Sequence, residues 1–435
     1  MSAKQIAGFS KLDKADKRAW VARTYAREAD ALLTTWQGFD HADASVQEAL
    51  DHFSENTLAN FPMPFGVAPN LVVDGETYAV PMVIEESSVV AAASAAAKYW
   101  STRGGFRTEV IGTEKVGQLF FAWPGQLAAL HDALAALTEV LRAACADLTA
   151  NMERRGGGLL RVEALDHADV PDTFELRGHF ETCDSMGANF INTVLERWGE
   201  VLPSAFAKTG LAEPGLPEVV MAILSNYTPG CVVRAEVSCH IDDLGRGAGG
   251  FTSAELASRF HRAVRLAVAS PYRATTHNKG IFNGVDAVVL ATGNDFRAVE
   301  ACAHAYAARD GQYRSLSDCT LEGGVFRFWL ELPLALGTVG GLTRTHPVAA
   351  TALELLGHPS AERLMRIVAA TGLAQNFAAV RSLVTTGIQA GHMRMHLQNI
   401  LTQLDADAAQ RAAATHHFAD KPVSVAGVRA WLAEA

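Results

Sequence analysis

FRTEVIG (106–112) to LFFAW (119–123), PGQLAALHDALAALTEVLRAACADL (124–148), LLRVEAL (159–165), TFELRGHFE (173–181), SMGANFINTVLERWGEVLPSAFA (185–207) and EVVMAILSN (218–226) set the fold. Read in order, one strand-like run precedes a long helix. Two strand runs follow the turn Arg155-Gly156-Gly157-Gly158, then a second helix and a last apolar strand. The order βαββαβ predicts a ferredoxin-like split βαβ unit.

Around this unit the chain reads as helix-rich. Residues 14–36 and 45–60 carry helical periodicity with charged faces and predict two amphipathic helices. LVVDGETYAVPM (71–82) reads as a hairpin turning at Asp74-Gly75. A slim alanine-rich helix, VVAAASAAAKYW (89–100), follows Glu85-Glu86-Ser87-Ser88, and its small side chains call for a closely packed neighbour. Glycine-rich loops recur at 337–347 and 371–376, and the last 50 or so residues read as helical and charged. The expected class is α+β. A large discontinuous domain (1–110 and 222–385) receives an inserted ferredoxin-like dinucleotide-binding domain (111–221), and a small helical flap (386–435) ends the chain.

With 435 residues, 49% hydrophobic and 19% charged, the chain can bury sizeable cores. A net charge of −10 disfavours nucleic acid and anionic membrane as partners, so a polyanionic ligand would need local basic pockets. Six scattered cysteines show no CxxC pair or ligand-like spacing, which reads as reduced thiols rather than disulfides or a metal site. The first residues lack the apolar core of a signal peptide, and no run of about 18 apolar residues appears. A cytoplasmic location is expected.

HNKGIFNG (277–284), closing on TGND (292–295), places Lys279 in what reads as a glycine-flanked bend. An exposed lysine in a surface turn would look the same. Glu86 can decorate the first turn of the helix after it, and Asp295 can cap FRAVEACAHAYAA. His392 and His396 share a helical face, but HMRMH lacks the glutamate of HExxH. Asp184 or Ser185 can cap the helix that follows DSMGAN (184–189), whose backbone N–H groups could equally face a phosphate or ribose.

Seven segments, in order, give these residues a common reading. They are ENTLANFPMPFGVAPN (55–70), VPMVIEESSVVAAASAAAK (80–98), DSMGANFIN (184–192), ILSN (223–226), SPYRATTHNKGIFNGVDAVVLATGNDFRAVEA (270–301), GTVGGLTRTHP (337–347), and GLAQN (372–376) with GIQAGHMRMHLQNI (387–400). In them the sequence resembles the bacterial-type (class II) 3-hydroxy-3-methylglutaryl-CoA (HMG-CoA) reductases. The resemblance implies conversion of a thioester to a primary alcohol, mevalonate, with release of CoA and two hydride transfers from NAD(P)H.

The resemblance also assigns roles. Lys279 is the cation for the thioester and aldehyde oxygen, Glu86 the general acid, Asp295 the carboxylate coupled to both, and Asn283 the amide beside them. His392 would protonate the departing CoA thiolate. Arg273 would take the substrate carboxylate, with Ser88 and Asn376 as further polar contacts. Asp184, Met186, Gly187 and Asn189 belong to the dinucleotide motif, which replaces a GxGxxG, and Asn226 lies near the nicotinamide.

Glu85-Glu86-Ser87-Ser88 departs from the family's frequent Glu-Glu-Pro-Ser and loses some rigidity in that turn. Seven positions before Gly156, where NAD-selective members carry a carboxylate, stands Thr149, with Asp147 nearby and Arg154-Arg155 able to meet a 2′-phosphate. NADPH or dual use is the expectation. Homodimers or larger assemblies, an active site at the subunit interface and a mobile C-terminal flap are also implied. A non-redox CoA-dependent enzyme, or an inactive acyl-CoA-binding protein, is the alternative. No metal is expected.

Overall fold

The computed structural model describes residues 4–213, 215–245, 249–385, 387, 397–398, 400–418, 421 and 423–434, with the backbone alone at position 344. His392 lies outside the described residues. The chain divides into two compact units, Met1–Pro64 and Phe65–Ala435.

In the first unit, α1 (Lys14–Tyr25), α2 (Ala29–Gly38) and α3 (Ala44–Asp51) replace the two longer helices expected from periodicity. The continuous pattern over 14–36 breaks at Ala26, where the backbone turns extended. Asp40 is gripped in bidentate fashion by Arg18 at 2.7 and 2.8 Å, and Arg18 holds its carboxyl down at about 2. Arg18 is itself 7% exposed, so this pair closes the unit from within.

The second unit begins with the predicted hairpin, β1 (Phe65–Val73) and β2 (Glu76–Val83). Asp74 and Gly75 both have positive φ (51° and 89°), the type I′ geometry that a two-residue Asp-Gly turn favours. Then come α4 (Val89–Ser101), β3 (Arg107–Val110) and β4 (Lys115–Ala122). The run read as a single strand at 106–123 is therefore two strands in different sheets. β3 pairs with β8 in the large sheet, while β4 is central to the ferredoxin-like one.

That second sheet continues with α5 (Leu127–Ala144), α6 (Ala146–Glu153), β5 (Gly158–Asp166), β6 (Thr173–Glu181), α7 (Ala188–Lys208) and β7 (Glu218–Ser225). Its order, β5-β6-β4-β7, is fully antiparallel, as a βαββαβ chain with two helical crossovers requires. Its own apolar core gathers Leu119, Phe121, Trp123, Leu141, Phe180, Trp198 and Phe206.

The remainder is less purely helical than its composition suggests. β8 (Val232–His240), α8 (Ser253–Ala269), α9 (Pro271–Ala291), α10 (Phe296–Ala307), β9 (Ser317–Glu322) and β10 (Val325–Pro333) complete the sheet β3-β8-β10-β9. Strict inside-outside alternation along β10 shows why these strands form. Three more helices follow: α11 (Leu342–Thr345), α12 (Pro347–Leu355) and α13 (Ala361–Val384). Among the described residues α13 alone is long and apolar enough to cross a membrane, and 72% of its apolar window is buried in the fold. The described C-terminal residues make a small separate core of Leu397, Ile400, Leu401, Ala414, Phe418 and Val428.

The expected bend at 277–284 is helix, in the middle of α9. Packing overrides the low helix propensity of two glycines. A Cβ on Gly284 would sit 2.8 Å from the Gln375 Cβ and 2.9 Å from the Thr371 carbonyl oxygen of α13. Gly372 on α13 answers it, since its Cβ would meet Val285 at 2.7 Å. These two notches let α9 and α13 lie unusually close. Gly280, by contrast, faces open space. Gly284→Ala should therefore lower stability by about 1–3 kcal/mol through overpacking. Gly280→Ala should be neutral or raise it by up to about 1 kcal/mol. Urea denaturation of the two variants checks the pair, and equal effects would refute the crossing as the reason for Gly284.

Candidate active site

Helix α9 organises the site because its two faces have opposite duties. The inner face is fixed by polar residues in a buried setting. Asn278 donates to the Tyr313 hydroxyl (3.1 Å) and the Arg314 carbonyl (2.9 Å), and accepts from the Leu316 N–H (3.0 Å). Beside it, His277 Nε2 meets the Ser317 hydroxyl at 2.7 Å, and that hydroxyl donates to Asn376 Oδ1 at 2.8 Å. Burial, with the Arg273 cation nearby, drives the His277 imidazole down to about 3. His277 is thus a neutral spacer between α9, β9 and α13.

The outer face then presents Lys279, with Asn283 one turn on. The Lys279 ammonium donates to Glu86 Oε2 at 2.8 Å, across the break between β2 and α4. The lysine side chain is 62% exposed and that of Glu86 37%, so the pair adds little to stability. What it provides is a cation and a proton-carrying group facing the same open space. Ser88, just after Glu86, adopts a left-handed backbone (φ 79°) and starts α4 without capping it. Arg273, two turns before Lys279, is half-buried and forms no ion pair among the described residues. Burial lowers its pKa from the usual arginine value.

Asn376 is 1% exposed, its side-chain oxygen engaged by Ser317. Asp295 caps α10: its Oδ1 accepts from the Arg297 and Ala298 N–H groups, both at 3.1 Å, and lies 3.4 Å from Arg297 Nε. Within one chain Asp295 makes no hydrogen bond to Lys279 or Glu86. Its Oδ2 accepts no hydrogen bond among the described residues.

The cofactor candidates sit around a second set of contacts. Helix α7 starts at Gly187, in left-handed conformation (φ 97°), with no side chain capping its first N–H groups. The expected caps act elsewhere: Ser185 Oγ accepts from the Gly187 N–H (3.1 Å), and Asp184 Oδ1 accepts from the Ala361 N–H at the start of α13 (2.7 Å). A loop at 337–338 joins this segment to the acidic loop. The Gly337 N–H donates to Asn294 Oδ1, and the Thr338 N–H donates to the Asp184 carbonyl, each at 2.8 Å. Gly337 is required there, because a Cβ would lie 2.6 Å from the Met186 nitrogen.

Met186 and Asn226 line a narrow cleft of about 20 Å³ together with Ala298, Val299 and Cys302 of α10. Gly156 and Asp184 line a second, wider cleft of about 380 Å³ together with Ser360 and Ala361. Asn189 is exposed on the first turn of α7. Thr149 is 3% exposed with its hydroxyl unpartnered inside the fold, so it offers a nucleotide no surface in this conformation. Arg155 turns back to the Asn151 carbonyl (3.2 Å) and Arg154 to that of Ala150 (3.4 Å). Asp147 approaches Arg197 at 3.5 Å.

Three residues went unread in the sequence. His277 and Asn278 were legible only as polar residues at positions that helical spacing assigns to an inner face. Asp286, a carboxyl set in the apolar run GVDAVVLA, is the third. Burial and the neighbouring Glu300 push it up to about 8.

The His277 environment has a measurable signature. Its folded-state pKa lies below the unfolded value of about 6.5, so between about pH 6.5 and 3 the unfolded chain binds one more proton. Stability then falls as pH falls, by about 1.4 kcal/mol per unit from this group. His277→Gln should remove one proton's worth of that slope in denaturation curves taken from pH 7 to 4. An unchanged slope would show that the ring is not buried neutral.

Comparison with known proteins gives this geometry its context. The sequence profile described as hydroxymethylglutaryl-coenzyme A reductase matches residues 14–397. The chain is 38% identical to a 3-hydroxy-3-methylglutaryl-coenzyme A reductase of Archaeoglobus fulgidus, over 91% of this chain and 86% of that one. It is 30% identical to a probable reductase of the same name from Borreliella burgdorferi, over 92% and 89%. A class II reductase of Streptococcus pneumoniae, bound to NADPH in open conformations, superposes with a TM-score of 0.71 at 35% identity, over 87% of this chain and all of that one. A second structure of that enzyme gives 0.72 at 34% identity, over 99% and 100%.

Proposed function

Because the chain belongs to the hydroxymethylglutaryl-CoA reductase family, class II, and is an NAD(P)H-dependent oxidoreductase interconverting HMG-CoA with mevalonate and CoA, we propose how its residues perform that reaction. The observation that carries the proposal is the Lys279–Glu86 contact of 2.8 Å on an otherwise open face. The alternatives without redox chemistry are not favoured.

NAD(P)H supplies the two hydrides. As each arrives, negative charge builds on the substrate oxygen, and the Lys279 ammonium stabilises it. Glu86, held against the ammonium, delivers the proton that completes the alcohol. Asn283, on the same face of α9, orients the oxygen. Asp295 has an oxygen, Oδ2, to offer a neighbouring donor, and is proposed to set the charge of the Lys279–Glu86 pair. Arg273 is suited to the substrate carboxylate because no carboxylate among the described residues pairs with it. Ser88 supports that contact through the turn it starts, and Asn376 by fixing α13 against His277 and Ser317. His392 is assigned the protonation of the CoA thiolate.

The large discontinuous domain (1–110 and 222–385) is proposed to bind the CoA substrate and the 111–221 domain the dinucleotide, with 386–435 as the flap. Asp184, Met186, Gly187 and Asn189 are proposed to bind the dinucleotide, with Met186 and Asn226 toward its nicotinamide end. The fit is physical, since the α7 start leaves N–H donors free beside a cleft. Lys279 stands exposed with the half-buried Asn283 one turn on, and Asp295 is not joined to them within the chain. This supports a homodimer whose interface completes the site; a cytoplasmic location is proposed with it.

Lys279→Ala should bind HMG-CoA with little change but lose turnover by about 10³-fold or more. Near-normal kcat would remove the lysine from the oxyanion role. For the cofactor, we propose NADPH or dual use, supported by the absence of an acidic residue at position 149 and by Arg154 and Arg155 nearby. Paired kcat/KM measurements test this. A preference for NADH above about a hundredfold, ~2.7 kcal/mol, overturns it.

A further inference from the structure

Lys115, the first residue of β4, is 4% exposed and makes neither a hydrogen bond nor an ion pair among the described residues. The side chain is enclosed while its ammonium has no protein partner among them, which leaves the charge to water or to a ligand in the clefts it lines. Its register partner is Phe180, a core residue, so its side chain leaves the sheet on the helix-covered face, where α7 begins. Asp184, Glu362 and Glu181 line the second cleft with it, and of these Glu181 directly follows its register partner. Its Oε1 accepts from the Cys183 N–H at 2.7 Å and its Oε2 from the Thr113 hydroxyl, so both oxygens are engaged.

Lys115 also has a singular position. It is the one residue common to the linings of the two clefts described above. On one side lie Met186 and Asn226, and on the other Gly156 and Asp184. The uncapped start of α7 adds a second source of positive potential, next to it through Ile191 and Met186.

We propose that Lys115 binds phosphate oxygens of the dinucleotide, specifically the diphosphate between its two nucleosides. The proposal rests on the dinucleotide reading of these clefts given above. If the nicotinamide end lies by Met186 and Asn226 and the adenosine end by Gly156, the diphosphate must cross the wall between them, and Lys115 is that wall. The lysine is then a cation placed in advance of its partner. CoA carries the same diphosphate chemistry, so the test separates the two sources.

Binding of NADH, NADPH and HMG-CoA is measured separately by titration calorimetry on the full chain, in wild type, Lys115→Met and Lys115→Arg. The expectation is that K115M raises the Kd of NADH and NADPH alike, by about tenfold or more, because the diphosphate is common to both. HMG-CoA should change less than twofold, K115R should retain most of the affinity, and the K115M melting temperature should hold, since the ammonium makes no protein contact that the variant loses. Unchanged dinucleotide Kd overturns the proposal. So does a loss confined to NADPH, which would indicate the 2′-phosphate, or a loss confined to HMG-CoA. Should K115M melt lower, the wild-type protein decides: the side-chain ¹⁵N resonance of Lys115 must shift on adding ADP-ribose, which has the diphosphate without nicotinamide, and no shift refutes the assignment. Wild type that binds neither NADH nor NADPH would instead sink the dinucleotide reading itself.

Discussion

The close crossing of α9 and α13 is the constraint on which the site depends. It exists because Gly284 and Gly372 each leave a notch that the other helix fills. With that crossing made, His277, Ser317 and Asn376 link side chain to side chain, and Asn278 ties α9 to Tyr313, Arg314 and Leu316. Each would be costly if left unpaired, so the network admits one rotation of α9 about its axis. That rotation points Lys279 outward. The Lys279–Glu86 pair does not hold the fold together, because both side chains are too exposed to add much. The fold instead holds the pair, and leaves it free to act on a substrate.

A second coupling runs through the loop at Gly337 and Thr338. Its backbone donors reach Asn294 on one side and Asp184 on the other, and its missing Cβ admits the Met186 backbone. The segment resembling a dinucleotide motif and the segment bearing Asp295 therefore share one short rigid connector. Hydride donor and acid network must keep a fixed separation through two reduction steps. A connector made of backbone hydrogen bonds supplies that without depending on any side-chain rotamer.

Much of this was legible in the sequence, for identifiable reasons. The βαββαβ order could be read because its helices are long and its strands are bounded by Gly and Pro turns. The Asp74-Gly75 hairpin could be read because few other turns suit that dipeptide. The family resemblance then grouped Glu86 and Lys279, which lie 193 positions apart and meet at 2.8 Å. Local pattern failed where tertiary contact decides. Gly280 and Gly284 looked like a bend because nothing local says that α13 will pack against them. The run 106–123 looked like one strand because the switch between sheets at Ile111–Glu114 leaves the β-rich composition unbroken. Asp184 looked like a cap for its own helix, yet it caps α13, 177 positions away. Thr149 matched by counting alone, and counting carries no information about which way a side chain faces.

The distribution of charge follows from the same division between holding and acting. The chain carries a net −10, yet its reactants are polyanions, which an evenly acidic surface would repel. Where the ion pairs serve structure they are closed, as with Arg18 and Asp40. At the proposed ligand surfaces they are left open. Among the described residues Arg273 is half-buried without a carboxylate, the Lys115 ammonium has no hydrogen-bond or ion-pair partner, and no side chain caps the α7 start. Each lowers the stability of the empty chain. Each also keeps a cation or a set of N–H donors desolvated in advance, so that an arriving anion meets a strong local field. An acidic protein can bind such ligands where cations without a carboxylate partner, as Arg273 and Lys115 are among the described residues, meet the proposed ligand surfaces.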